Sequence, residues 1–257
     1  MKNILIILYK ILAVGLLLYA LIYGLMIALP PLELLEQSSR NLFYHVPMWF
    51  TVIVLMSISV VQSVRYLRLI DPDYEKSTNP LYADAKARDA AHLGSIFIVL
   101  GLVTGSIWGR VAWKAHIPGN DLSIWWTNDP ILICALISLL IYLAYFLLRA
   151  SFTEPAQRAR VAAVYNIFAF ATLIPLYFII PRMLPGLHPT AEGSDAGGGS
   201  FIFTSGINNS YRLILYPSIT GFILLSVWVY EVRSRLSKLQ LQWEAYKAEK
   251  EYSQTHK

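Results

Sequence analysis

Six times along the 257-residue chain the charged residues stop, at 11–29, 46–64, 90–109, 130–148, 161–181 and 213–230, and apolar residues fill the gap. Each stretch holds about 18–21 residues, and about 20 residues in a helix cross the ~30 Å hydrocarbon core of a bilayer. An open strand leaves its backbone groups unpaired in lipid, so the six stretches are expected to be helices. Hydrophobic residues make up 56% of the chain and charged ones only 14%, which places it among integral membrane proteins. The expectation is an all-α, polytopic membrane protein with six transmembrane helices in residues 1–232, followed by a tail at 233–257.

An even number of spans puts both termini on one side and divides the connections into two sets. Residues up to 10, 65–89, 149–160 and the tail from 231 carry all of the 21 Lys and Arg except Arg40, Arg110, Lys114, Arg182 and Arg212. The positive-inside rule makes that basic set, and with it both termini, cytoplasmic. The net charge of +5 is therefore spent on topology, and no basic patch for nucleic acid forms. The apolar N-terminal segment runs past signal-peptide length with no small-residue cleavage pattern, which reads as a retained anchor. A single cysteine, Cys134, excludes an internal disulfide and a paired-thiol site. In the tail, Leu236, Leu239, Trp243 and Tyr246 are spaced by three and four, as in a short helix lying on the membrane or against a partner. Gly197 to Gly199, in the last external segment, reads as a flexible hinge.

The loop 108–129, WGRVAWKAHIPGNDLSIWWTND, is too polar to span and falls on the external side. It holds Trp108, Trp113, Trp125 and Trp126, four of the seven tryptophans. One or two interfacial tryptophans anchor a protein at the headgroups. Four within one loop, interrupted by Gly109, Pro118 and Gly119, suggest a platform for a flat apolar ligand. Asp129 before Pro130 fits the cap of the fourth span.

The histidines sort by side. His45 stands just before the second span, with Pro47 suited to the first turn of that helix. His188 lies in the last external segment, stiffened by Pro181, Pro185 and Pro189, and His116 lies in the tryptophan loop. His256 is in the tail. His92 starts the third span a bilayer away and reads as a hydrogen-bonded interfacial residue, with Asp89 suited to cap that helix. Two neutral imidazoles from separate helices can clamp a haem iron from above and below. His45 and His188 are the pair expected, and His116 is the residue that can replace either. Haem carries two propionates, for which the five external bases are the candidates.

On these residues the chain resembles the CcmC-type haem-handling proteins of cytochrome c maturation, within the wider group of cytochrome c assembly membrane proteins with a tryptophan-rich external motif. The resemblance rests on six spans, a histidine in the FYHVP context, the tryptophan segment between spans three and four, and a histidine before span six. It implies that His45 and His188 are axial ligands of haem b iron. It implies too that Trp108, Gly109, Trp113, Trp125, Trp126 and Asp129 belong to the motif that binds the ring. It further implies a multi-pass protein of the bacterial inner membrane whose site faces the periplasm and passes haem to a small periplasmic haem chaperone. The implied partners are an ATP-binding transporter pair and a small single-span membrane protein. The chain departs from the motif in having Asn128 where tryptophan precedes the aspartate, Ile131 where an arginine follows, and a longer KAHIPGNDLSI insert. Any role of that arginine in binding is then absent or supplied by another base such as Arg110.

Binding and transfer require no covalent change in the cargo, and the chain has no nucleotide-binding motif, so a non-enzymatic role is expected. Two other classes remain: a membrane electron carrier with bound haem, for which His92 lacks a partner at its depth, and a structural or transporter subunit whose tryptophans only anchor it.

Overall fold

The computed structural model describes residues 2–27, 36–71, 79–113, 125–188 and 209–255. The expectations placed on Lys114, His116, Gly197 to Gly199 and His256 lie outside these residues. Among the described residues are α1 (Lys2–Met26), α2 (Leu42–Leu69), α3 (Pro80–Ala112), α4 (Pro130–Ala150), α5 (Pro155–Ile174), α6 (Ile180–Met183) and α7 (Asn209–Thr255). A π turn, Pro175–Ile179, joins α5 to α6, so that α5 to α6 make one span and the helices long and apolar enough to cross a membrane number six. The protein is a six-span, all-α, multi-pass membrane protein.

α2 and α3 form the centre, with α4 and α5 on one side and α7 and α1 on the other. α1 is the outermost: most of its large apolar side chains are exposed, and Ala13 and Ala20 are buried. These small residues let it approach α7, where a Cβ at Gly221 would lie 3.2 Å from Leu16 Cβ. Without a hydrophobic drive between helices in lipid, such small-residue contacts and interhelical hydrogen bonds carry the association. Asn166 on α5 supplies the latter, donating to Ser59 Oγ at 2.7 Å and Ser63 Oγ at 2.8 Å on α2, while Ser59 donates to the Ala87 carbonyl of α3 at 2.8 Å.

Three expectations are corrected. α2 begins at Leu42, so His45 is already helical and Pro47 sits inside the helix rather than in its first turn. The proline leaves the Phe43 carbonyl without its helical donor. Ser218 of α7 donates to that carbonyl at 2.5 Å, which lets the helix start early. Asp89 does not cap the third helix, which starts at Pro80 with the Asn79 side chain accepting from Leu81 N at 2.9 Å. Asp89 is instead fully buried, accepting from Arg88 at 2.9 Å, Arg233 at 3.3 Å and Ser237 at 2.5 Å. The tail helix is not a separate element: α7 continues unbroken from the sixth span to Thr255, a rod of about 70 Å. Its Leu236, Leu239, Trp243 and Tyr246 are exposed.

Tyr9 of α1 donates to Glu231 of α7 at 2.7 Å, which puts the start of the chain beside the end of the sixth span. At the opposite end of the bundle gather the start of α2, the end of α3, the start of α4 and the turn between α5 and α6.

A candidate haem site at one end of the bundle

Gly101, Gly105 and Gly109 recur every four residues on one face of α3. A Cβ on Gly101 would lie 2.8 Å from Trp49 Cζ2, one on Gly105 2.8 Å from His45 Cε1, and one on Gly109 2.9 Å from Trp113 Cζ3. Three aromatic rings therefore rest directly on the α3 backbone, one above another, at distances that only glycine permits. This ladder is the back wall of the site. Of its members sequence reasoning singled out Gly109, Trp113 and His45; the four-residue glycine spacing was the available signal for the others.

His45 is buried, with Nδ1 3.1 Å from Thr104 Oγ1 and Nε2 accepting from Trp49 Nε1 at 3.2 Å. The Trp108 indole contacts both expected ligands, its ring centroid 6.3 Å from that of His45 and 6.5 Å from that of His188. Among the described residues its buried Nε1 has no hydrogen-bond partner. His188 follows α6 on a segment held by its backbone: Leu187 N at 2.7 Å and His188 N at 3.3 Å both donate to Asp129 Oδ2. Asp129 Oδ1 accepts from Ile131 N at 3.0 Å as the cap of α4. One buried carboxylate thus starts α4 and places His188, a positioning role that capping alone did not suggest.

These residues enclose a cleft of about 170 Å³, lined by His45, Trp49, Trp108, Trp113, Tyr177, Arg182 and His188 and otherwise by apolar side chains such as Val46, Phe50, Ile53 and Leu132. The tryptophan loop divides. Trp108 and Trp113 are buried in the cleft wall, whereas Trp125 and Trp126 are 54% and 38% exposed and do not line it. Arg110 stacks its guanidinium 4.0 Å over the Trp125 ring. Of the other bases expected on the external side, Arg40 is committed to the end of α1, donating to the Gly24 and Ile27 carbonyls at 2.8 and 2.9 Å. Arg182 lines the cleft, with Nη1 donating to the Phe178 carbonyl at 2.7 Å. Ile131, in place of the motif arginine, lines the cleft as an apolar residue. His92 lies about 20 Å along α3 from Gly105. Its ring meets Phe146 edge-on at 5.8 Å, and among the described residues its buried Nδ1 has no hydrogen-bond partner.

Apolar surroundings, aided by the positive charge of Arg182, hold the His188 imidazole down at about 4, from an ordinary 6.5. His188 is half-buried and lines the cleft, and its imidazole is neutral at pH 5–7. Below 6.5 the unfolded chain takes up a proton at His188 that the native protein refuses until about 4. The stability tied to this residue therefore falls as pH falls through that window. In ¹⁵N-histidine spectra of the ligand-free protein, the His188 ring signals are expected to stay in the neutral position from pH 7.5 to 5; a midpoint near 6.5 contradicts the burial.

The family described as Cytochrome C assembly protein matches residues 1–188. Relatives named "Heme exporter protein C" include those of Paracoccus denitrificans (29% identical over 149 residues, 58% of this chain and 56% of the relative) and Bradyrhizobium diazoefficiens (29% over 191 residues, 73% and 62%). The Escherichia coli K12 protein of the same name is 25% identical over 199 residues, 77% of this chain and 69% of its own. The chain thus spans less than two thirds of the length of the first two relatives. The family match covers well over half of this chain, from α1 through both candidate histidines, and the chain belongs to the cytochrome c assembly protein family.

Proposed function

We propose that the protein binds haem in this cleft at the external face of the bacterial inner membrane and delivers it to a haem chaperone during cytochrome c maturation. In this reading His45 and His188 are the axial ligands, Trp108 and Trp113 hold the ring, and Arg182 and Arg110 are the bases for the propionates. The observation that carries it is the buried Trp108 indole within ring-contact distance of two imidazoles from separate parts of the chain, its N–H without a partner among the described residues. A buried donor left unpaired costs about 1–3 kcal/mol, so a ligand with acceptors at its edge gains there. Among the described residues no three His, Cys, Asp or Glu side chains gather as a bare metal ion needs, while two imidazoles suffice for an iron already held by a porphyrin. The relatives' name, "Heme exporter protein C", points the same way.

Delivery asks only that the histidines exchange for a ligand of the acceptor, so the role is non-enzymatic, and energy comes from an ATP-binding transporter pair with a small single-span protein beside it. The test is a titration of the detergent-purified protein with ferric haem. The expected result is one equivalent bound with the visible spectrum of low-spin iron carrying two imidazoles. A high-spin spectrum, or binding that never saturates, sinks the proposal.

A further inference from the structure

We propose that Trp49 is the latch of the site: its indole N–H occupies His45 Nε2 in the ligand-free protein and must leave before that nitrogen can take iron. The inference rests on the reading that His45 is a ligand. Trp49 acts through His45, as a positioning residue rather than a ligand itself.

The hydrogen bonds fix the tautomer from both sides. Thr104 Oγ1 donates to the Leu100 carbonyl at 2.7 Å, so toward His45 it can only accept, and Nδ1 carries the proton. An indole N–H can only donate, so Nε2 carries the lone pair. This is the arrangement in which a metal-binding histidine points its bare nitrogen at the metal while a second group orients the ring through the other. Thr104 is that second group. Trp49 stands where the metal would be, and one lone pair cannot serve both.

The surroundings give the indole somewhere to go. Its inner face rests on Gly101, which offers no side chain to interlock. Another neighbour, Tyr177, meets it edge-on at 5.4 Å and belongs to the π turn Pro175–Ile179, a local distortion frequent at functional sites. Tyr177 is tied to α4 by a 2.7 Å hydrogen bond with Ser138 and lines the cleft. A shift of this turn relaxes the wall against which Trp49 leans. The cleft of about 170 Å³ also falls short of the ~300–1,000 Å³ of pockets that take small molecules, so the geometry described is the closed one. For a protein that must give its cargo away, an indole that competes for Nε2 supplies the exchange from within: it returns as the iron departs, and His45 is never left bare.

Trp49→Phe keeps a ring on Gly101 and removes the N–H. Haem is expected to bind this variant with the same low-spin spectrum, about three- to tenfold tighter, as for the loss of one competing hydrogen bond. Transfer to an excess of apomyoglobin is expected to slow by a similar factor. In the ligand-free variant the His45 Nε2 ¹⁵N signal must move to that of an unbonded lone pair, a change that looser packing alone does not give. Binding and transfer at wild-type rates overturn the latch. His45→Ala separates the two claims: if it keeps the low-spin spectrum, the ligand assignment fails, and if it loses that spectrum while Trp49→Phe behaves as wild type, only the latch fails. Should Trp49→Phe not fold, ¹⁵N-tryptophan wild-type protein titrated with diamagnetic gallium protoporphyrin gives the same answer. Trp49 must lose its hydrogen-bonded indole shift, and an unmoved signal overturns the proposal.

Discussion

Haem added to His45→Ala or to His188→Ala is expected to give a high-spin, five-coordinate spectrum and to bind more than ~100-fold more weakly than to the parent, since even groups that only support a metal ligand are worth about 10–100-fold. The two variants should differ in stability. His188 is placed by its backbone, through the Leu187 and His188 N–H groups on Asp129, and alanine keeps both bonds. His188→Ala should therefore melt close to the parent and recover the low-spin spectrum when free imidazole is added. His45 lies buried on α2 between Thr104 and Trp49, with Gly105 beneath its ring. Alanine there strands the Trp49 N–H and leaves a hole on the glycine ladder, a cost of about 1–3 kcal/mol for the unpaired donor alone. Visible spectra and thermal unfolding in detergent separate the two outcomes. A low-spin spectrum retained by either variant removes that histidine from the site.

The spans were legible because a charge-free run measures the bilayer directly, but their ends were not. Asp89 and Arg149 stand at the ends of expected spans and Asp84 in the connection 65–89, and the structure buries all three inside the bundle. Sequence shows a charge and not the partner that lets it stay in a helix, so α3 runs ten residues earlier than its apolar stretch. The site was half legible. His45 and His188 stood out as external imidazoles beside prolines, and Trp108 as the start of an aromatic loop. Trp49, one helical turn after His45, escaped because Pro47 suggested that the helix begins between them. The Ser218 hydroxyl that makes Pro47 tolerable comes from 171 residues away, and no local pattern reveals it. Tyr177 depends on a π turn that tertiary packing decides. Trp125 and Trp126 could not be told from Trp108 and Trp113 by type or spacing; only the structure separates exposed rings from buried ones.

The largest loss of stability is expected from Arg149→Ala, at the end of the bundle away from the cleft. Arg149 Nη1 and Nη2 hold the two oxygens of Asp84 at 2.6 and 2.8 Å, with the Tyr145 hydroxyl 3.4 Å from Nη1. Both side chains are about nine-tenths buried, 8% and 10% exposed, so the pair joins α4 to α3 where water cannot replace either partner. Removing the arginine leaves a carboxylate in apolar surroundings, a change that costs about 3–5 kcal/mol for buried pairs. That is a large share of the ~5–15 kcal/mol by which proteins are stable at all. Arg149→Ala should accordingly lower the melting temperature sharply or fail to accumulate. Arg149→Met combined with Asp84→Leu removes both charges, and it should recover most of the loss, because replacing a buried pair by apolar groups of similar size is often close to neutral. The site lies about 30 Å away along α3, from Asp84 to Gly105. The double variant should therefore bind haem with the parent's low-spin spectrum. If Arg149→Ala melts as the parent does, Asp84 finds another partner or takes up a proton at little cost, and the pair does not hold α4 to α3. If the double variant folds but loses the spectrum, the two ends are coupled through the α3 rod, and the glycine ladder owes its register to the ion pair below it.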